Sequence, residues 1–250
     1  MKDKVLGLIG YPLTHSASPA VWKELFDQEG ITGFTYKLFE MEDISALPKL
    51  FESEDLLAVN VTIPHKKSVI PILGCLTDEA ENIGAVNTVA RSKSGVLIGH
   101  NTDSPAFEIS LQSFLGGYTP EQAMILGTGG SAAAVAYALS KLNLSYIFVS
   151  RQKRGKNVYT YEDINAADGH FPDLIINTTP QGMHPNTESY PPLDYAKIRP
   201  KSFCFDLIYN PESTLFLQKC KNQKAFVKNG LEMLHLQARK AWEFISATAL

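Results

Sequence analysis

A glycine-rich turn between a strand-like run and a helix-like run restricts the fold of this chain more than any other feature. The apolar run Ala123–Leu126 leads into Gly127-Thr128-Gly129-Gly130-Ser131-Ala132, and an alanine-rich helix is predicted over Ser131–Leu142. In this setting the first glycine permits a tight turn, the second lets the backbone approach a pyrophosphate, and Ala132 allows close helix–strand packing. Amides at the helix N-terminus then bind the phosphates. The turn predicts a Rossmann-type dinucleotide unit, and a glycine-rich connection without a ligand is the alternative.

The segment after the next strand-like run indicates which dinucleotide is bound. An NAD-binding unit places Asp or Glu about 20 residues after the turn, where it binds the ribose 2′-hydroxyl. Here the strand-like run Tyr146–Ser150 is followed by Arg151, Lys153, Arg154 and Lys156, with no acidic residue among them. A guanidinium can bind a 2′-phosphate bidentately and stack on adenine. We therefore predict NADP(H), and a solvated basic loop is the alternative.

Strand-like and helix-like runs alternate along the chain. In the first part of the chain, strand-like runs at Val5–Ile9, Phe34–Phe39 and Leu56–Val61 alternate with predicted helices from about Ser18 and near Ile44–Phe51. This order predicts a mostly parallel α/β sheet. A second alternation of strand-like and helix-like runs begins after Gly116-Gly117. We place the domain boundary inside the helix that starts near Asp103. Further predicted elements are a hairpin of Val86–Arg91 and Val96–His100, a helix from Asp103 to about Leu115, strands at Leu174–Asn177 and Phe203–Asp206, and a helix from Leu231 to about Ala247.

Composition and charge exclude several functional classes. Hydrophobic residues make up 44% and charged residues 20%, as in soluble globular proteins, and the net charge of -3 argues against a nucleic-acid binder. The three cysteines stand far apart, so neither a disulfide framework nor a zinc site is indicated. His15, His65 and His100 lack ligand spacing and an accompanying acidic cluster, so no metal is expected. Without a signal-peptide pattern or a membrane-length apolar run, we expect a reduced, cytoplasmic protein that binds no membrane.

Two segments carry candidate acid–base residues. Lys66 ends Asn60-Val61-Thr62-Ile63-Pro64-His65-Lys66, where Pro64 keeps the preceding residue extended, and Asp103 ends Gly99-His100-Asn101-Thr102-Asp103. Because ligands bind at the carboxyl ends of strands in open α/β sheets, Lys66 is placed as a general acid for a ketone. A nearby carboxylate would orient it and keep it charged. The alternatives are an exposed lysine and, for Asp103, a helix N-cap that can serve both roles.

A serine-containing motif lies between the first strand and the first helix. In Gly10–Pro19, the hydroxyls of Ser16 and Ser18 near a helix N-terminus suit a carboxylate ligand. Ser18-Pro19 also reads as a helix start, with serine as the N-cap and proline at the first helical position. Simple capping is therefore the alternative for Ser18. From residue chemistry alone, the chain is a carbonyl reductase or alcohol dehydrogenase.

Ordered motifs along nearly the whole chain resemble one family. They are Gly10–Pro19, Asn60–Lys66, Gly84–Thr88, Gly99–Asp103, Gly127–Ala132, Asn177–Met183, Phe205–Tyr209, and Asn229-Gly230 through Gln237-Ala238. Together they are similar to those of shikimate dehydrogenases. The resemblance implies an N-terminal mostly parallel α/β substrate domain of residues 1–103 plus 230–250, and an NADP-binding Rossmann domain of residues 104–229. It implies NADPH-dependent reduction of 3-dehydroshikimate to shikimate, a step of aromatic amino-acid and chorismate biosynthesis.

The resemblance also implies site residues. By that resemblance, Lys66 and Asp103 are the expected catalytic pair. The substrate is a small polyhydroxy cyclohexene carboxylate, and its predicted contacts are Ser16, Ser18, Thr62, Lys66, Asn87, Asp103, Tyr209 and Gln237. Predicted NADP(H) contacts are Gly127, Gly129, Gly130, Ser131, Arg151, Thr178, Met183, Gly230 and Met233. We expect no nucleic acid, no membrane and no metal, and the chain to be a monomer or homodimer.

Two departures from the family pattern lie beside the predicted adenosine site. Ser150-Arg151-Gln152 replaces the common Asn-Arg-Thr, and the helix that commonly follows is replaced by a strand-like run at Asn157–Tyr161. A more open adenosine pocket with weaker cofactor affinity is expected. The rival functions are a quinate/shikimate dehydrogenase with relaxed cofactor use and a catalytically silent sensor of shikimate-like ligands. Retention of Lys66 and Asp103 argues against the sensor.

Overall fold

The chain divides into two compact units in the computed structural model. The structure describes residues 3–14, 16–53, 55–153, 155 and 157–250, so His15, Arg154 and Lys156 of the predicted motifs lie outside the described residues. The first unit comprises residues 1–105 with 235–250, and the second comprises residues 106–234. The sequence-based boundaries stand at 103/104 and 229/230. Among the described residues, every helix is too short or too polar to cross a membrane.

The first unit is a six-stranded mixed sheet with helices. Its elements are β1 (Lys4–Gly10), α1 (Ser18–Glu29), β2 (Phe34–Glu40), α2 (Leu47–Leu50), β3 (Leu56–Val61), β4 (Cys75–Leu76), α3 (Asp78–Ile83), β5 (Thr88–Arg91) and β6 (Leu97–His100). The strand order is β2-β1-β3-β5-β6-β4. Strands β1, β2 and β3 run parallel, whereas β5 is antiparallel to both β3 and β6. The predicted hairpin is confirmed as the β5–β6 pair.

Two helices carry the chain across the unit boundaries. Helix α4 (Asp103–Leu115) contains the first boundary, and a C-terminal helix (Leu231–Ala249) contains the second. In the first unit, Trp242 of the C-terminal helix packs edge-to-face on Phe34 and Phe26, with ring centroids 5.0 and 6.0 Å away. Aromatic pairs of this kind stabilise beyond their buried area. They explain why the last part of the chain rejoins the first unit.

The second unit is a parallel six-stranded sheet with helices. Its elements are β7 (Ala123–Leu126), α5 (Gly130–Lys141), β8 (Tyr146–Ser150), β9 (Val158–Thr160), α6 (Tyr161–Ala166), β10 (Leu174–Asn177), β11 (Phe203–Asp206), α7 (Leu215–Asn222) and β12 (Phe226–Lys228), and the C-terminal helix is α8. The order β12-β11-β10-β7-β8-β9 puts the buried strands β7 and β10 at the centre. The α/β fold with a Rossmann-type unit is confirmed.

The parallel arrangement gathers the carboxyl ends of the strands at one edge of this sheet. Strands β7, β8, β10 and β11 end at Leu126, Ser150, Asn177 and Asp206, and the loops that follow them start at that edge. Strand β9 directly follows the short loop after β8, so the strand-like run at Asn157–Tyr161 forms an edge strand and then α6. Ligands of open α/β sheets bind at this edge, which makes it the place to search for a cofactor site.

Candidate active site

Lys66 and Asp103 form a direct ion pair in the first unit. Lys66 Nζ donates to Asp103 Oδ2 at 2.6 Å, and the two side chains are 14% and 8% exposed. A charge-assisted hydrogen bond this short and this shielded from water holds the ammonium group in a defined direction. A proton donor in a fixed position is what reduction of a carbonyl requires.

The sheet topology brings this pair together. Strand β5 is antiparallel to both β3 and β6, so β5 begins at the edge where β3 and β6 end. Asn60, Thr88 and His100 are aligned across these three strands. The segments that follow β3 and β6 therefore converge with the residue that precedes β5 at one edge of the sheet. Lys66 lies after β3, Asp103 lies after β6, and Asn87 directly precedes β5.

The backbone around Lys66 is anchored on both sides. The Lys66 carbonyl oxygen accepts from Val86 N at 2.7 Å. The buried His65 ring donates from Nε2 to the Met41 carbonyl oxygen at 2.6 Å, which identifies the Nε2-protonated tautomer or the imidazolium. His65 therefore serves the structure of this segment.

Asn101, which sequence reasoning missed, caps helix α4. Its Oδ1 accepts from Asp103 N at 3.1 Å and Ser104 N at 3.2 Å, and its Nδ2 donates to Ala85 O at 2.8 Å. Helix α4 begins at Asp103, so the N-cap alternative for Asp103 is wrong. The signal was an Asn two residues before the aspartate, a spacing typical of a side chain that accepts backbone amides. Because Asn101 satisfies the helix amides, the Asp103 carboxylate is available to Lys66.

Asn87 holds the second carboxylate oxygen. Its Nδ2 donates to Asp103 Oδ1 and to Thr102 Oγ1, both at 2.9 Å, and its Oδ1 accepts from Thr102 N at 2.7 Å. The side chain is 3% exposed. Asn87 therefore orients Asp103 in the structure, whereas its contact with a ring hydroxyl stays a prediction.

The serine motif differs from the sequence prediction in one respect. The N-cap of α1 is Ala17, and Ser18 is the first helical residue, so the predicted Ser18 cap is wrong. Ser16 Oγ instead accepts from Ser18 N at 3.2 Å. Leu13 N donates to Glu40 Oε1 at 2.7 Å and fixes the loop that leads to Ser16. Ser16 is half-buried and Ser18 is buried.

Two further predicted substrate residues lie in the first unit. Thr62 follows β3, its N donates to Ile9 O at 2.9 Å, and its side chain is half-buried. Gln237 is half-buried on α8, within residues 235–250 of this unit. Their contacts with a substrate stay predictions.

The glycine-rich turn in the second unit has the geometry of a phosphate cradle. Gly127 has φ +109°, and a Cβ there would lie 2.7 Å from Thr178 Oγ1, so only glycine fits. Gly129 is the N-cap of α5, and a Cβ at Gly129 would meet nothing within 4 Å. The open space in front of Gly129 is where a pyrophosphate would lie against the first amides of α5. Helix α5 starts at Gly130, and Ser131 is in its first turn.

Arg151 directly follows β8 at the same edge of the sheet and is exposed. Burial raises the pKa of Tyr161 to about 12, and the nearby Arg151 guanidinium opposes that rise. Tyr161 is therefore neutral at physiological pH. An exposed guanidinium beside the second strand suits a 2′-phosphate, as predicted for NADP.

The remaining predicted residues of the second unit lie after β10, after β11 and at the start of α8. Thr178 Oγ1 donates to Leu126 O at 2.6 Å, and Met183 is exposed. Tyr209 is half-buried after β11. A Cβ at Gly230 would collide with the Leu207 carbonyl oxygen, and Met233 is buried. The structure thus brings Thr178 beside Gly127, while cofactor contacts of all these residues stay predictions.

His100 serves the structure of the first unit. Burial lowers the pKa of His100 to about 4, and its Nδ1 shares a hydrogen bond of 2.8 Å with Thr77 Oγ1. Its ring stacks on Phe244 at 4.5 Å. Within the described ranges, no group of three or more His, Cys, Asp or Glu side chains could hold a metal ion.

Known proteins are similar to this chain over nearly its whole length. The family model for the shikimate dehydrogenase substrate binding domain matches residues 8–89. The shikimate dehydrogenase (NADP(+)) of Clostridium beijerinckii is 41% identical over 249 residues, which cover 95% of this chain and 90% of that protein.

Two solved structures have similar folds. Shikimate dehydrogenase 1 of Peptoclostridium difficile is 31% identical with a TM-score of 0.88, over 99% of this chain and 93% of that one. Shikimate 5-dehydrogenase of Thermus thermophilus, solved in complex with NADP(H) and shikimate, is 28% identical with a TM-score of 0.83, over 98% of this chain and 94% of that one. With a relative this similar along its whole length, the chain belongs to the shikimate dehydrogenase family.

Proposed function

We propose that this protein reduces 3-dehydroshikimate to shikimate with NADPH, and catalyses the reverse oxidation with NADP+. The observation that carries the proposal is the shielded Lys66–Asp103 pair, with Nζ and Oδ2 2.6 Å apart, in a chain of the shikimate dehydrogenase family. The relatives named as NADP(+)-dependent support the choice of cofactor, as does the exposed Arg151 after β8.

The reduction needs a proton at the oxygen of the ketone. Bound NADPH supplies the hydride that the carbonyl carbon receives. As negative charge develops on the oxygen, the Lys66 ammonium group donates a proton to it, and the charge of Lys66 stabilises the transition state. Asp103 keeps the ammonium group oriented, and Asn87 keeps Asp103 in place. In the oxidative direction, neutral Lys66 accepts the hydroxyl proton.

Hydroxyl and amide groups of the chain suit the other substituents of the substrate. In this proposal the hydroxyls of Ser16 and Ser18 donate to the substrate carboxylate, and Tyr209 contributes a further hydroxyl. Thr62, Asn87, Asp103 and Gln237 bind the ring hydroxyls. A site rich in such partners discriminates against substrates that lack the matching hydroxyl, because its buried polar groups would then be unpaired.

The proposed cofactor site is the carboxyl edge of the parallel sheet. Gly127, Gly129, Gly130 and Ser131 bind the pyrophosphate, and Arg151 binds the 2′-phosphate. Residues assigned to the ribose and nicotinamide end are Thr178, Met183, Gly230 and Met233. The open space at Gly129 and the crowding of Gly127 against Thr178 fit this assignment.

Oxidation of NADPH by 3-dehydroshikimate, followed at the absorbance of the reduced nicotinamide, tests the proposal. We expect turnover with NADPH and much weaker turnover with NADH. No turnover with NADPH would contradict the proposed enzyme, and a preference for NADH would contradict the role of Arg151. Shikimate and quinate, compared in the oxidative direction, separate the proposed enzyme from a quinate/shikimate dehydrogenase. A cytoplasmic location and a monomeric or homodimeric state stay part of the proposal.

A further inference from the structure

A buried carboxylate at the end of β11 connects the loops of the proposed cofactor site. Asp206 is fully buried and accepts three hydrogen bonds. Thr214 Oγ1 donates to Oδ2 at 2.6 Å, while Ile208 N and Asn177 Nδ2 each donate to Oδ1 at 3.0 Å. Asn177 ends β10, whereas Ile208 and Thr214 lie in the connection between β11 and α7. Asp206 is not among the residues that the family resemblance implies for the site.

The Asn177 side chain connects Asp206 to the phosphate turn. Asn177 Oδ1 accepts from Thr179 N at 3.1 Å and from Thr179 Oγ1 at 2.6 Å, which fixes the start of the loop after β10. Within that loop, Thr178 packs against the position where a Cβ of Gly127 would lie. A displaced Asn177 side chain would therefore move the wall of the phosphate turn.

The Thr214 side chain connects Asp206 to Gly182 in the same loop. Thr214 is the N-cap of α7 and lies against Gly182, where φ is +100° and a Cβ would be 3.2 Å from Thr214 Cβ. Gly182 precedes Met183, a residue assigned to the nicotinamide end. The segment from Thr178 to Met183 is thus connected to Asp206 near both of its ends.

The Ile208 backbone connects Asp206 to the start of α8. Ile208 N donates to Asp206, and Ile208 O accepts from Gly230 N at 3.0 Å. Gly230 also lies directly against the Leu207 backbone, with no room for a side chain. Segments that carry Gly127, Met183 and Gly230 are therefore connected to one carboxylate.

We infer that Asp206 is a positioning residue of the dinucleotide site, which it assembles by holding the loops after β10 and β11 and the start of α8; this inference rests on the proposed function. Burial raises the pKa of Asp206 to about 7, although the hydrogen bonds from the three donors act to lower it. A carboxyl group shifted this far by burial is more frequent at functional sites than elsewhere.

Asp173 is a matched control at the opposite edge of the same sheet. It precedes β10, is also buried, and accepts from Tyr118 Oη at 2.7 Å, Glu121 N at 3.3 Å and Gln122 N at 3.4 Å. Replacing either aspartate removes a buried carboxylate with three donors from the second unit. Only Asp206 is connected to the proposed cofactor loops.

The test compares NADPH dissociation constants, measured by nucleotide fluorescence, for the wild type, Asp206→Ala, Asp206→Asn and Asp173→Ala. We expect Asp206→Ala to weaken NADPH binding by about tenfold or more, because Asn177, Ile208 and Thr214 lose their common acceptor and the loops that they hold are no longer fixed. Asp206→Asn keeps acceptors for Ile208 and Asn177 and a donor for Thr214, so binding should stay within about threefold of the wild type. Asp173→Ala should lower the melting temperature and leave NADPH binding unchanged.

Equal NADPH affinity in Asp206→Ala and the wild type, or equal weakening in Asp206→Ala and Asp173→Ala, would overturn the inference. If Asp206→Ala does not fold, the NADPH dissociation constants of Thr214→Val and Asp173→Asn are compared instead. Thr214→Val removes one of the three donors to Asp206, so only this variant should bind NADPH more weakly. A wild type that does not bind NADPH contradicts the proposed function, and the inference falls with it. A wild type that binds NADPH, with variants that bind it equally well, contradicts the role of Asp206 alone.

Discussion

Replacing Lys66 by methionine isolates the role of the ammonium group. Lys66→Met keeps a side chain of similar length and removes the proton donor. The Lys66 side chain is only 14% exposed, so water is a poor substitute for the lost acid. Loss of a positioned general acid lowers rates by about 10²–10⁴-fold, and we expect kcat to fall by about 10³-fold. This corresponds to about 4 kcal/mol in the activation barrier.

The effect of Lys66→Met on stability is expected to be small by comparison. Removing one partner of a fully buried ion pair costs about 3–5 kcal/mol, because the other charge is left alone. Here Asp103 keeps its hydrogen bond from Asn87 and its position in the first turn of α4, where the helix dipole favours a carboxylate. We therefore expect the free energy of unfolding to fall by about 1–2 kcal/mol.

Steady-state kinetics with saturating NADPH and 3-dehydroshikimate measure the effect, and urea unfolding checks that the variant is folded. Lys67→Met is the matched control, since the neighbouring Lys67 is exposed and should keep the wild-type kcat. The NADPH dissociation constant should be unchanged in both variants. A folded Lys66→Met protein that keeps more than about one third of the wild-type kcat would refute the assignment of Lys66 as the proton donor.

Four further substitutions test other parts of the account. Arg151→Ala should raise the KM for NADPH by about tenfold or more and leave the KM for NADH within about twofold, and equal changes would contradict the 2′-phosphate contact. Gly129→Ala adds a Cβ in open space, so the melting temperature should fall only slightly, through the poorer N-cap, while NADPH binding weakens by more than about tenfold. Wild-type affinity would argue against a cradle there. Asn101→Ala removes the acceptor for two amides of α4, and urea unfolding should show a loss of about 1–2 kcal/mol together with a lower kcat; an unchanged midpoint would show that the cap is unimportant. In the folded protein the pKa of His100 is lowered to about 4, whereas in the unfolded chain this side chain takes up a proton near pH 6.5. The stability present above pH 6.5 is therefore lost as the pH falls from 6.5 to 4. His100→Asn should flatten that part of the stability–pH curve, and an unchanged slope would contradict burial as the cause.

The proximity of Lys66 and Asp103 was predictable because both residues follow strands that end at one edge of a sheet. The strand-like runs before Lys66 and Asp103 are mostly apolar, and proline and helix signals mark where each run stops. The antiparallel strand between them was predicted as half of a hairpin. Sequence patterns alone supported a carbonyl reductase, and the substrate and the full residue set came from the family resemblance.

Capping interactions and short elements were harder to predict. Ser18 has the residue type and proline neighbour of an N-cap, yet the backbone enters α1 one residue earlier and Ser16 accepts its amide. Strand β4 and helix α3 are too short to show a period, so tertiary contacts decide them. The same holds for the short edge strand β12.

The Asp206 network could not be seen in the sequence because it depends on which strands are neighbours. Asp206 and Asn177 are aligned only because β10 and β11 pair in parallel. A sequence pattern shows that each residue ends a strand and leaves the pairing open. The residue at the centre of the proposed cofactor loops therefore emerged from the structure alone.

A double-mutant cycle on kcat tests the central claim, that Lys66 and Asp103 act together as the proton-transfer pair of an NADPH-dependent ketone reduction. The wild type, Lys66→Met, Asp103→Asn and the double variant are compared with 3-dehydroshikimate as substrate. Residues that act as one unit show strongly non-additive losses, so the double variant should be about as slow as Lys66→Met alone. Losses that multiply would show that the two side chains act independently, and would contradict the account.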